Sequence, residues 1–460
     1  MYGGHVCCAH PTFLDYRLAN GMGKFLRIDT PSLEARHQPS GLNTRFNGSG
    51  LAFADYVALN RGMLADAHAK RSWQVATPEN ETCHARFPLS NFPPQAGERA
   101  NESLRDFYGK VHAVNLEKII DGNAPFELKP LVGDFAGRKK IYRRGVLLTH
   151  GLTDSPYFMR HLAAFFQQNG FRVMAILLPG HGTQPGDLLQ INWQEWAEAV
   201  AYGTDRLAEE VDEVYLAGFS AGGTLSVYQS LRDDRVRGLF LYSPALKVSP
   251  RAALANLHKL YSWLIPSGKW LDIKPDQDIY KYESFPKNAA AQMHALTREL
   301  GTQLPAHPIS IPVFAVASED DTTVITLATV AFMARAQHPS SKLVIYSTKP
   351  ENFTSDIPPE KLELVNSVVP EQKILSSSHM SIVLPADDTH YGTAGEYSSC
   401  AHYYPGDMEK YTACIKHPEH AWQGELIERN LKAGTLRRLM YNPNFAELQV
   451  SIRRFIDKLP

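Results

Sequence analysis

Cysteine is scarce, with five in 460 residues, too few for a disulfide framework to replace an apolar core. Basic blocks are also missing. Lys and Arg number 47 against 48 Asp and Glu, a formal charge of -1, so neither nucleic acid nor an anionic membrane surface is the expected partner. No run of 18 or more apolar residues occurs, so no transmembrane segment is expected. The first thirty residues show no basic start followed by an apolar core. A cytoplasmic location is therefore the default expectation, with export not excluded. Internal repeats and low-complexity stretches are absent as well. Nothing in the sequence sets an oligomeric state. What is there is a long chain, 44% hydrophobic. It exceeds the roughly 250–300 residues at which one core stops growing, so one large decorated domain or two domains are expected.

Two groups of potential metal or redox residues are weighed and set aside. His5, Cys7, Cys8 and His10 look like ligands, but adjacent cysteines at a chain end fit structural zinc spacing badly. His390, His402, His417 and His420 are expected in a solvated loop rather than around a metal. No metal or organic cofactor is expected. Cys400 and Cys414 either close a loop in an oxidising compartment or remain buried thiols.

Residues 1–140 read as an extension and linker of unknown role, rich in Gly, Pro and Asn, with brief periodic segments at 51–64 and 103–120. From 141 the pattern changes to alternating strands and helices. Strands are expected at 144–149, 171–178, 214–217, 237–242, 311–317 and 342–346, and helices at 157–168, 193–210, 326–336 and 445–456. Strands separated by such helices imply right-handed crossovers and a mostly parallel sheet covered on both faces. The rhythm stops over 246–305, where helical aromatic segments (254–264 and 288–300) suggest a cap above the carboxyl ends of the strands. The core is thus expected in two parts, 141–245 and 306–460. A polar, proline-containing stretch at 348–370 precedes a short run at 373–375; whether that run or 342–346 is the last core strand stays open. Residues 385–440 read as an irregular insertion.

The chemistry centres on 214–228, where an apolar run enters Gly218-Phe219-Ser220-Ala221-Gly222 and a helix-permitting segment follows. G-x-S-x-G in this setting is a strand, a sharp turn and a helix. The serine takes a strained backbone, and Gly218 and Gly222 let strand and helix approach. A serine hydroxyl is a weak nucleophile at neutral pH and needs a base, an acid to orient that base, and donors for the oxyanion. In chain order Ser220 is followed by Glu319-Asp320-Asp321 after one strand and by His379 in a later loop. Both fall where a doubly wound sheet places functional loops.

Several ordered motifs carry a resemblance to a known family. They are Thr149-His150-Gly151-Leu152-Thr153-Asp154-Ser155, Leu178-Pro179-Gly180-His181-Gly182, the Ser220 elbow, Ser318-Glu319-Asp320-Asp321-Thr322-Thr323-Val324 and Ser378-His379. The segment 141–384 resembles an α/β-hydrolase of the carboxylesterase and monoacylglycerol-lipase type. The resemblance implies an α/β-hydrolase fold with a helical lid. It also selects Asp321, three residues before Val324, as the triad acid, with Asp320 the alternative. It implies an oxyanion hole built from the backbone N–H groups of Leu152 and Ala221, with His150 and Gly151 shaping the first loop. Asp154 and Ser155 are expected to cap the following helix, and Glu319 to be a solvated neighbour of the acid. In the cap, Leu254, Leu257, Leu260, Tyr261, Trp263, Leu264 and Trp270 are expected to pack on the core and together line an acyl pocket.

The expectation is a serine hydrolase acting on a small-molecule ester or lipid, with medium or long acyl chains or monoacylglycerols as substrates. The alternatives are peptidase, thioesterase or acyltransferase activity on the same triad. A non-catalytic binding protein of this fold is the reading from another class.

Overall fold

A computed structural model of the protein describes residues 33–34, 37–75, 116–132, 140–248 and 266–459. The His5, Cys7, Cys8, His10 cluster and the cap helix expected at 254–264, with Leu254, Leu257, Leu260, Tyr261, Trp263 and Leu264, lie outside the described residues.

The first strands are β1 (Phe126–Leu128), β2 (Tyr142–Thr149), β3 (Phe171–Ile176), β4 (Val211–Phe219) and β5 (Val236–Tyr242). The inner strands β2 to β5 are buried and mostly apolar towards their carboxyl ends because both sides are covered there. Two short strands, β6 (Trp270–Asp272) and β7 (Phe285–Pro286), pair apart from the sheet. Then come β8 (Val313–Ser318), β9 (Lys342–Ser347) and β10 (Leu362–Asn366). The eight-stranded sheet has the order β1-β3-β2-β4-β5-β8-β9-β10. Every neighbouring pair is parallel except β1 with β3.

Period-two alternation divides the strands between two cores. Leu147, Leu216 and Leu241 face one, with α3 (Trp193–Glu210), α4 (Ala221–Ser230) and α5 (Lys287–Gln303) packed there. Val146, Leu148, Ala217 and Phe240 face the other, under α2 (Arg160–Gln168) and α8 (Phe445–Ile456). Helix α3 starts at a capping box between Asn192 and Glu195, which satisfies two otherwise orphaned N–H groups. Helix α8 buries Leu448, Ile452, Phe455 and Ile456 at helical spacing. Helix α6 (Thr326–Ala334) links β8 to β9.

The amino-terminal segment packs directly on this core. In α1 (Phe53–Val75), Phe53 and Tyr56 belong to the same apolar cluster as the sheet, and Tyr56 donates to the Leu177 carbonyl at 2.8 Å. The His68 ring lies 2.8 Å from the Gly182 carbonyl. Gly180 N–H donates to Thr44 O at 2.9 Å.

Several expectations change. The last core strand is β10, inside the stretch read as polar and proline-containing. Residues 373–375 form only isolated bridges through Ile374. Residues 126–128, read as linker, add the antiparallel edge strand β1. The insertion at 385–440 is ordered: it holds α7 (Met408–Lys416), β11 (Trp422–Gly424) parallel to β12 (Leu436–Arg438), and a Cys400–Cys414 disulfide. His390 is not solvated. It is buried between Asp278 at 3.1 Å and Glu396 at 3.2 Å, because that loop packs against the cap. His417 and His420 do face solvent, grouped around Glu419.

Candidate active site

Strand β4 and helix α4 meet at Ser220, which adopts φ 52° and ψ −114°, a conformation strained for a residue with a side chain. The surrounding sequence makes it affordable. A Cβ on Gly222 would stand 2.1 Å from the Thr149 carbonyl oxygen, and one on Gly218 would stand 2.2 Å from the Gly222 backbone. Only glycines let helix and strands close on the turn. Ser220 N–H donates to Tyr242 O at 2.9 Å, which anchors the turn to β5.

His379 follows β10 in sequence and sits in a one-turn helix started by a capping box at Ser378. Its Nε2 lies 2.9 Å from Ser220 Oγ, and its Nδ1 lies 2.6 Å from Asp321 Oδ2. Asp321, just beyond β8, accepts from the N–H groups of Thr323 at 2.7 Å and Val324 at 2.9 Å through Oδ1. That fixes the carboxylate and leaves Oδ2 for the imidazole. Asp320 turns away and accepts from Arg429 at 2.7 Å. Glu319 accepts from the Ser347 hydroxyl and is exposed, as expected of a solvated neighbour of the acid.

Ser220 and His379 are 7% and 2% exposed, and they form part of the wall of a cavity of about 520 Å³. Leu152 and Ala221 line the same cavity. The Ala221 N–H, at the first position of α4, has no intrahelical acceptor. The loop carrying Leu152 is braced from two sides. His150 accepts from Leu178 N–H at 3.0 Å through Nε2, and its Nδ1 lies 2.8 Å from Gly151 O. Burial and the neighbouring His181 hold the His150 imidazole well below its usual proton affinity, so it braces the loop as a neutral ring. From the cap, Lys281 donates to Thr153 Oγ1 at 2.7 Å, and Tyr282 N–H to Thr153 O at 2.8 Å.

Asp154 and Ser155 do not cap the helix: the turn at 156–159 has no side-chain cap. Asp154 instead lines the cavity, with Lys281 Nζ at 3.5 Å from Oδ1. Burial pushes its carboxyl up, against the pull of Lys281 and His379. Trp270 also departs from expectation. It is buried edge-on against the His37 ring at 6.1 Å, while its neighbour Leu271 faces the cavity.

The rest of the wall mixes the cap with the late insertion. The cap supplies Phe285, Ala290, Met293 and Glu283, and the insertion supplies Tyr397, Ser399, His402, Leu426 and Arg438. No short motif announces the insertion residues, since their role depends on folding back from far along the chain. Burial, with the charge of Asp276 next, raises the Glu283 carboxyl to about 7, and Tyr397 donates to it at 2.6 Å.

A mostly parallel eight-stranded sheet with the Ser220 turn between β4 and α4 gives the α/β-hydrolase fold, and the chain is similar to proteins of the esterase and lipase type. Residues 141–349 match the family model described as serine aminopeptidase, S33. A thermostable monoacylglycerol lipase of Bacillus sp. (strain H-257) is 30% identical over 162 residues, covering 35% of this chain and 64% of that protein. A carboxylesterase of Bacillus subtilis (strain 168) is 29% identical over 85 residues, 18% of this chain and 35% of that one. The chain thus spans less than two thirds of either relative. A solved structure of the monoacylglycerol lipase of Paleococcus ferrophilus superposes with a TM-score of 0.37 at 19% identity, covering 45% of this chain and 86% of that one. Among the described residues no helix is long and apolar enough to cross a membrane.

Proposed function

We propose that the protein hydrolyses carboxylic esters through an acyl-enzyme on Ser220. The observation that carries this reading is the unbroken hydrogen-bonded line from Ser220 through His379 to Asp321 at a cavity wall. In this reading Ser220 Oγ attacks the acyl carbon while His379 Nε2 takes its proton. Asp321 holds the ring and stabilises the positive charge that forms on it. The Leu152 and Ala221 N–H groups receive the oxyanion, each worth about 3 kcal/mol of transition-state stabilisation. His379 then returns the proton to the leaving alcohol, and water, deprotonated by the same imidazole, releases the acid.

The lining supports a substrate class. Leu152, Val248, Leu271, Phe285, Met293 and Leu426 present apolar surface, which suits a neutral acyl chain. Esters of medium or long acyl chains, monoacylglycerols among them, fit a cavity of this size, and a monoacylglycerol lipase is among the relatives. Each buried methylene contributes about 0.8 kcal/mol, so kcat/KM should climb about fourfold for every carbon until the cavity is full. A panel of p-nitrophenyl esters from C2 to C16, with thioesters and aminoacyl amides alongside, tests the assignment. Faster turnover of amides than of esters would overturn it.

A further inference from the structure

The late insertion carries a buried ion pair that contacts the His379 backbone and the side chain of Thr323. Glu425 follows β11 directly and Arg438 ends β12. Parallel pairing sets Gly424 opposite Arg438 and so brings the two side chains together. Glu425 is completely buried. Its Oε2 accepts from His379 N–H at 3.0 Å and from Arg438 Nη2 at 2.9 Å, and its Oε1 accepts from Leu426 N–H at 2.8 Å. Arg438 Nη2 also donates to Thr323 Oγ1 at 2.7 Å, and Thr323 is the residue whose N–H holds Asp321. One carboxylate and one guanidinium therefore join the loop of His379 to the loop of Asp321.

We infer that Glu425 and Arg438 are positioning residues for His379: they fix the imidazole against Asp321 and balance the charge beside which the imidazolium forms. This rests on the ester-hydrolase reading of Ser220, His379 and Asp321. The charged groups facing His379 come from three directions. Asp321 comes from the acid loop, Asp154 with Lys281 from the oxyanion loop and cap, and Glu425 with Arg438 from the insertion. The first two belong to elements of the hydrolase core and cap. The third makes the insertion part of the catalytic apparatus rather than a surface addition.

The test compares Glu425→Gln with the double variant Glu425→Gln/Arg438→Met, using the full chain and a p-nitrophenyl ester. Glutamine keeps an oxygen for the His379 N–H but leaves Arg438 without its counter-charge. A proton on the imidazole is then held less firmly. The single variant should lose about tenfold in kcat, keep KM within about twofold, and move the acid limb of kcat/KM down by roughly half a pH unit. The double variant removes both charges, and its acid limb should return to the wild-type position. Melting temperature does not discriminate, because losing one partner of a buried pair destabilises and losing both is tolerated whatever the pair does. An acid limb unmoved in the single variant, one not restored in the double, or failure of Glu425→Gln to fold would assign the pair to stability alone and overturn the inference. A wild-type protein that cleaves no ester would overturn the ester-hydrolase reading and this inference with it; an active wild type with an immobile limb overturns only the inference.

Discussion

At Gly222 a single methyl group would meet backbone on two sides, 2.1 Å from Thr149 O and 2.6 Å from His150 O. Neither carbonyl can give way without moving β2 or the oxyanion loop. Gly222→Ala should therefore destabilise the fold by about 3 kcal/mol and lower kcat further by displacing the Leu152 N–H. A denaturant titration together with steady-state kinetics reads both effects, and an unchanged midpoint would show that the turn can relax. Glu283 is the other residue with a sharp signature. Its carboxyl is raised from 4.5 to about 7, so the folded state holds a proton that the unfolded chain has already released. The resulting penalty is absent below about 4.5, grows as pH rises towards 7 and is complete above it. The melting temperature of Glu283→Gln relative to wild type should accordingly improve across that window. Parallel curves of melting temperature against pH would contradict this.

Among the elements, the ones set by local pattern were legible and the ones set by distant partners were not. Helices α3 and α8 bury residues at regular helical spacing and lie where the periodicity places them. The elbow, the acid loop and the histidine were readable because strand-to-loop order constrains them. Strand β10 (Leu362–Asn366) escaped because it is half-buried at the sheet edge, between prolines, and carries no continuous apolar run. Strand β1 has only three residues and exists through its pairing with β3. Glu425 and Arg438 gave no signal at all, since their meaning lies in contacts 46 and 115 residues away in sequence. The sequence leaves Cys400 and Cys414 open between bridge and thiols, and the bridge is formed. It closes a short loop beside Ser399, Ala401 and His402, all on the cavity wall. Replacing both cysteines by serine should cost about 3 kcal/mol and raise KM more than it lowers kcat, because it loosens the wall and leaves the triad in place. Unchanged KM with lowered stability would confine the bridge to folding.

For the molecule as a whole, the additions to the hydrolase core converge on one place. The amino-terminal segment grips residues 177–182 through Thr44, Tyr56 and His68. The cap braces Thr153 through Lys281 and Tyr282. The insertion holds the loops of His379 and Asp321 through Glu425 and Arg438. Each addition reaches a loop at the carboxyl end of the sheet, where a doubly wound fold gathers its chemistry. Ser220 is 7% exposed and a mostly apolar cavity lies beside it, an arrangement that suits the neutral acyl substrate proposed. The central claim is that Ser220 is the nucleophile, and mass spectrometry of the protein after reaction with a fluorophosphonate tests it most directly. The account predicts one adduct per chain, on Ser220, formed in step with loss of p-nitrophenyl ester hydrolysis and absent from a folded Ser220→Ala variant that has no activity. An adduct on another serine, or a Ser220→Ala variant that still cleaves the ester, would contradict it.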